Sequence, residues 1–194
     1  FNLYIFQINK TLDTVNQDEL KEPHLVQLFN RFATYNGSSP FKTPGMMTLI
    51  QHLEQEYGTF VSEKGMINIS KSIFDLAKRN GVKFEFNKLV NEIVVKNNKV
   101  VGVKVNNTLI KSDFVVSNMD IVPTYKKLLK KSYQPKKVLN QERSSSALIF
   151  YWGIKKTFKN LELHNILFSN NYKKEFDSIF ELGNISDDPT VYIN

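Results

Sequence analysis

Few side chains in this chain have the types and spacing of a familiar catalytic motif. The three histidines, His24, His52 and His164, lie far apart, and no HExxH or paired-histidine spacing joins them. No metal site is expected from them. There is no cysteine, which removes disulfides, thiolate zinc sites and thiol nucleophiles together. Ser144, Ser145 and Ser146 lack the context of a nucleophile elbow, so hydrolase chemistry is disfavoured. The Gly-x-Gly-x-x-Gly fingerprint that grips a dinucleotide pyrophosphate is absent. The informative stretch is an apolar one. Asn30 to Pro44 reads NRFATYNGSSPFKTP, a dense run of turn formers flanked by Phe32, Tyr35 and Phe41. Aromatics beside a Gly/Ser/Pro loop indicate an apolar surface shaped by a particular backbone, not a solvated linker.

The charge balance narrows the partners. The net charge is +7, nearly all of it lysine, with Arg31, Arg79 and Arg143 the only arginines. Bidentate phosphate or base readout favours arginine, and no nucleic-acid-binding signature is present, so no nucleic-acid partner is expected. Lys126, Lys127, Lys130, Lys131, Lys136 and Lys137 form the densest basic cluster. It reads as a solvated face, or as an attraction to anionic lipid headgroups of about 1 kcal/mol per residue near the surface. No apolar run reaches the roughly 18 residues of a membrane-spanning helix. Phe1 to Ile8 lacks the basic start and small-residue cleavage site of a signal peptide. The chain opens without methionine and stops at Asn194 inside a strand-like run, so it reads as an internal piece of a longer protein.

The elements that must position these residues can be read from periodicity. Helices are expected over Gln17 to Ala33, Pro44 to Tyr57, Met66 to Asn80, Val122 to Lys131 and Tyr172 to Leu182, with Gly58, Gly81 and Gly183 as stops. Short strands are expected at Thr59 to Ser62, Val82 to Phe86, Asp113 to Ser117, Asn165 to Phe168 and Thr190 to Ile193. A longer one is expected within Ser146 to Lys155. The Asp113 to Ser117 run is apolar and reads as a buried strand. Val90 to Val95 and Lys99 to Val105 alternate around Asn97-Asn98, a hairpin signal, and Leu109 to Lys111 extends that ribbon. The fold class is α/β (α+β mixed), a mixed sheet plus helices.

Several of these segments together carry a resemblance. NRFATYNGSSPFKTP, the KGMINIS cassette with NGVKFEFNKLVNEI, NKVVGVKV and SDFVVSN, then SNMDIVPTYKKLL, SSSALIFYWGIKK, LHNILFS and YKKEFDSIFELGNISDDPTVYIN follow one another in order. In that order they resemble the FAD-dependent carotenoid desaturases of the bacterial phytoene desaturase type. SNMD with TYKKLL and SALIFYWGI is most similar to the branch acting on hydroxylated or methoxylated carotenes, which introduces the 3,4 double bond. One departure is local: family members usually carry two glycines before Met66, whereas here Lys64 precedes Gly65. An ordinary α/β unit without a ligand is the alternative reading of the cassette.

The resemblance implies a piece of a glutathione-reductase-like flavoprotein. Residues 1–62 and 121–194 would belong to the substrate domain and 63–120 to the FAD-binding domain. It implies cofactor contacts at Gly65, at the backbone of Val90 near the adenine, and at Ser117 and Asn118 where an apolar strand ends. The pyrophosphate fingerprint and a second cofactor segment would lie outside these residues. The substrate would be a long apolar carotenoid, from which two hydrogens leave adjacent carbons, one of them as hydride to the flavin. Such a chain needs an apolar tunnel. Phe32, Tyr35, Phe41, Phe150, Tyr151 and Trp152 are candidate wall residues, with plain core packing as the alternative for each. On a strand, Phe150 and Trp152 would share a face and Tyr151 would oppose them. Asp120 and Glu142 are candidate carboxylates for a cation-like intermediate, and His164 a candidate polar group near a substrate end; no catalytic residue is assigned. The family implies a cytoplasmic enzyme attached peripherally to a membrane. Rival readings are a carotenoid isomerase, retinol saturase or amine oxidase of the same superfamily, or a non-catalytic piece that binds an apolar ligand or a membrane.

Overall fold

The computed structural model describes residues 7–129 and 134–194. The expectations that fall on Phe1 to Phe6, Lys130 and Lys131 lie outside the described residues. The chain divides into two compact units, one of residues 1–60 with 143–194 and one of residues 61–142.

In the first unit, Thr11 starts helix α1 (Leu12–Glu19) by accepting a hydrogen bond from Thr14 N–H on its side-chain oxygen. The helix stops at Leu20, whose backbone is extended. Helix α2 (Pro23–Asn30) begins only after Glu22, whose carboxylate caps Leu25 N–H at 2.9 Å. The single helix expected over Gln17 to Ala33 is therefore two. Pro23 has no N–H to donate and biases the residue before it toward extended backbone, so it opens a helix instead of continuing one. A 3-10 turn (Arg31–Asn36) prolongs α2 and ends at Gly37 in left-handed conformation, φ +61°.

The loop after Gly37 completes the start of α1. Pro40 and Thr43 carbonyls accept from Asp13 N–H at 3.2 Å and Leu12 N–H at 2.8 Å. These amides of the first turn have no partner within their own helix. A second 3-10 turn (Gly45–Met47) feeds helix α3 (Thr48–Tyr57), which stops at Gly58. Leu12, Phe32 and Ala33 form the core here, with Phe29, Met47 and Ile50 packed around them.

The second unit opens with helix α4 (Ile67–Arg79), closed by Asn80 and by Gly81 at φ +82°. Strands β1 (Val90–Lys96), β2 (Lys99–Val105) and β3 (Thr108–Lys111) then form an antiparallel meander. Both of its turns are Asn-Asn pairs with positive φ, Asn97-Asn98 and Asn106-Asn107, the geometry that matches the twist of a tight hairpin. Gly102 lies beside an irregularity in the β1–β2 register, and a Cβ there would stand 2.0 Å from the Ile110 carbonyl oxygen. Helix α5 (Ile121–Pro123) runs into a π-helical turn (Thr124–Leu128) that packs against β1, and α6 (Lys136–Leu139) follows.

Back in the first unit, strand β4 (Asn165–Leu167), helix α7 (Tyr172–Asp177) with a π-helical turn (Ser178–Leu182), and strand β5 (Val191–Ile193) close the chain. β4 and β5 pair antiparallel. Buried Glu175 fastens α7 to the start of β5, accepting from both the amide and the hydroxyl of Thr190 at 2.7 Å.

The class is mixed α/β, with antiparallel pairing in both sheets of the described residues. Four expected strands form no ladder there: Thr59 to Ser62, Val82 to Phe86, Asp113 to Ser117 and the run within Ser146 to Lys155. Apart from half-buried Val115, their apolar side chains stay exposed, including Phe114 at 86% and Val116 at 95%, so the burial expected for Asp113 to Ser117 is not found. An apolar β-prone run specifies a wish for cover, but a strand exists only where another strand supplies its hydrogen bonds.

Candidate functional site

The residues singled out for a cofactor all fall in the second unit. Gly65 adopts φ +84°, and an added Cβ would meet nothing within 4 Å. Its glycine character serves the turn, not a close approach by other protein atoms. Val90 opens β1 half-buried opposite Val105, and the register breaks immediately after it. Ser117 and Asn118 are exposed. The Ser117 hydroxyl pairs with Thr124 Oγ1 at 3.0 Å, and Thr124 also donates to the Met119 carbonyl. Because the turn bearing Thr124 packs on β1, the end of the Asp113 to Ser117 run is tied to the strand that Val90 begins.

This arrangement presents exposed backbone and small polar groups at the rim of a short sheet. It does not supply a grip for the pyrophosphate, since the chain holds no glycine-rich fingerprint. Among the described residues no group of three or more His, Cys, Asp or Glu side chains could hold a metal ion.

The residues singled out for a substrate fall in the first unit but not on one wall. Phe32 is buried in the core, 6% exposed, with its ring edge-on to Tyr35 at 5.5 Å and stacked on Phe29 at 6.1 Å. Phe41 packs against Phe176 at 6.2 Å. Phe150 and Trp152 lie outside any helix or strand, exposed, their rings 5.8 Å apart. Tyr151 between them is also exposed.

The other candidates have local structural roles. Asp120 caps α5 through Val122 N–H at 2.9 Å. His164 Nδ1 is 2.5 Å from the Tyr192 hydroxyl, with the two rings stacked. Lys126, Lys127, Lys136 and Lys137 are exposed. No helix of the described residues is long and apolar enough to cross a membrane.

One polar group beside the aromatics was not singled out from sequence. Tyr35 Oη donates to Glu54 Oε1 at 2.7 Å, and the Arg31 guanidinium lies over the Phe32 and Tyr35 rings at 5.2 and 5.6 Å. Partial burial, and then the bond to Glu54, hold the Tyr35 phenol above its ordinary range, while Arg31 opposes the rise. The signal that could have found it is Arg31 and Tyr35 at i, i+4 spacing within the aromatic loop motif.

No family model matches the chain. Individual relatives do. A 1-hydroxycarotenoid 3,4-desaturase of Flavobacterium sp. (strain P99-3) is 55% identical over 187 residues, 96% of this chain and 38% of the relative. A 4,4'-diapolycopene oxygenase of Methylomonas sp. is 31% identical over 99% of this chain and 39% of the relative. The phytoene desaturase of Neurospora crassa is 32% identical over 90% of this chain and 31% of the relative. The chain belongs to the carotenoid desaturase family.

The match is dense, but the chain spans less than two-fifths of these relatives' lengths. The alignment to the Flavobacterium enzyme takes in 96% of the chain.

Proposed function

We propose that the protein carrying this chain desaturates a carotenoid with FAD as its redox cofactor, and that its substrate bears a hydroxyl at C1. The observation that carries this reading is 55% identity to a 1-hydroxycarotenoid 3,4-desaturase, against 31% and 32% to a diapolycopene oxygenase and a phytoene desaturase. In this reading two hydrogens leave adjacent carbons, one as hydride and one as a proton, and a new C=C bond forms. Bound FAD would supply the hydride acceptor. Gly65, Val90, Ser117 and Asn118 would hold the adenosine side of it.

The remaining work falls to apolar surface. Tyr35, Phe41, Phe150 and Trp152 would border the polyene and exclude water, with Phe32, buried in the core, packed behind Tyr35. Exposed Phe150 and Trp152 could take this role only with cover from further chain or from a lipid surface. We assign residues 63–120 to the FAD-binding domain and 1–62 and 121–194 to the substrate domain. The enzyme would work from the cytoplasmic face of a membrane, attached peripherally, because its substrate dissolves only in lipid.

Expression of the whole protein in a host accumulating 1-hydroxycarotenoids tests the reading. The extracted pigment is expected to absorb at longer wavelength and to weigh two hydrogens less. Unchanged unsaturation with altered geometry would identify an isomerase instead, and a gain of oxygen an oxygenase.

A further inference from the structure

A polyene with one terminal hydroxyl poses a specific problem. Its chain needs apolar cover, but its hydroxyl needs a hydrogen-bond partner once water is gone, at a cost of about 1–3 kcal/mol if none is found. Around the aromatic loop, the arrangement suited to meet both needs is the cluster of Arg31, Tyr35 and Glu54. Tyr35 is 51% exposed and sits edge-on to the buried Phe32 ring, so one face of it is apolar and reachable. Its hydroxyl is directed by Glu54, which uses Oε1 for that bond. Arg31 spreads its guanidinium over both rings, and its Nε is buried without a hydrogen-bond partner. An unsatisfied buried donor is uncommon, and where one occurs it is a place where a further group is wanted.

We propose that Arg31, Tyr35 and Glu54 form the polar terminus of the substrate site and hydrogen-bond the C1 hydroxyl of the carotenoid. The inference rests on the reading above and deepens it to the discrimination between hydroxylated and plain chains. The second carboxylate oxygen of Glu54 accepts the substrate's O–H, the Tyr35 hydroxyl holds that carboxylate in place through its bond to Oε1, and the Arg31 guanidinium donates to the substrate's oxygen. In a 1-hydroxycarotenoid only two carbon–carbon bonds separate the carbinol carbon from C3. Anchoring the hydroxyl therefore also selects which C–C bond is presented. These are positioning residues; none of them transfers hydrogen. A site built around a substrate hydroxyl discriminates strongly against the analogue that lacks it, because its own polar groups are then left unpaired.

The test compares Tyr35→Phe, Glu54→Gln and Arg31→Lys with the unmodified whole protein, on a 1-hydroxycarotenoid and its deoxy counterpart. Quenching of tryptophan fluorescence, that of Trp152 included, by the bound polyene reads affinity without turnover. The ratio of hydroxylated to deoxy kcat/KM, and the corresponding affinity ratio, are expected to fall roughly ten- to hundredfold in Tyr35→Phe and Glu54→Gln. Conversion of the deoxy chain should fall less than that of the hydroxylated chain, because only the hydroxylated chain loses a hydrogen-bonded anchor. Arg31→Lys keeps the charge but not the planar fork and should give an intermediate loss. Equal losses on both substrates, or no change in either ratio, would overturn the inference. If the unmodified protein binds hydroxylated chains preferentially but desaturates neither, the desaturase reading fails and the hydroxyl anchor stands.

Discussion

Ser145 N–H donates to the Gly37 carbonyl at 2.8 Å, closing the aromatic-rimmed loop onto the far end of the sequence. Gly37 permits this in two ways. It takes up φ +61°, and it leaves open the space where a Cβ would lie 2.8 Å from the Ser144 Cβ. The sequence NGSS and the run SSS are thus two halves of one contact.

Gly37→Ala should therefore be costly although alanine is small. It adds left-handed backbone strain and a clash, together about 1–3 kcal/mol. Thermal unfolding should show a lower midpoint than the unmodified protein. A midpoint unchanged within error would mean that the loop does not need its glycine.

Asn30 offers a second stability test. Its side chain is 2% exposed, accepts from Asn16 Nδ2 at 2.8 Å and donates to Asp13 Oδ1 at 2.6 Å, joining α1 to α2. Asn30→Ala removes a donor and an acceptor at once and leaves one buried amide and one carboxylate oxygen short of a partner. The expected loss is about 3 kcal/mol, read as a lower denaturant midpoint at constant slope. Asn30→Asp should not rescue it, because it places a second carboxylate against Asp13.

These contacts show what periodicity could reach and what it could not. Helix α4 and both Asn-Asn hairpins are local: amphipathic spacing, a C-terminal glycine and a turn pair suffice to specify them. The break between α1 and α2 was also encoded, in Pro23, but apolar spacing across it mimicked one helix. The runs at Val82 to Phe86 and Asp113 to Ser117 read as strands because they are apolar, yet pairing is a property of a neighbour and not of the run. Phe74, Phe84 and Phe86 instead cluster by their rings, with centroids 4.3 to 6.2 Å apart. For the candidate site, the aromatic loop was legible as a motif. Its junction with Glu54 was not, because Tyr35 meets α3 across 19 residues through tertiary packing.

The Tyr35–Glu54 pair also carries a pH prediction. Burial, then the hydrogen bond to Glu54, raises the Tyr35 phenol above its ordinary value of 10.0. A group raised in the folded state contributes its stability fully below the unfolded value and loses it as pH rises through the folded value. The difference in tyrosinate absorbance between the unmodified protein and Tyr35→Phe should thus titrate above pH 10. Glu54→Gln should draw that midpoint back toward the ordinary value, whereas loss of the Arg31 charge should push it further up. A Tyr35 midpoint at or below the ordinary value would contradict the geometry.

The last prediction concerns the chain by itself. Affinity for a dinucleotide comes largely from the pyrophosphate, held by backbone amides at a glycine-rich turn and the start of a helix. This chain has no such turn, and its candidate contacts are backbone and small side chains at the edge of a three-stranded meander. Gly65 is exposed, with nothing within 4 Å of where a Cβ would lie, and the run ending at Ser117 and Asn118 has no strand neighbour among the described residues. Residues that would touch only the adenosine side cannot repay the loss of freedom on binding, which is several kcal/mol even for a well-fitted ligand. Purified alone, the 194-residue chain should be colourless, and FAD added to it should separate on desalting. A retained, stoichiometric flavin absorption would show that the β1 edge and the Ser117–Asn118 corner hold the cofactor without a pyrophosphate grip.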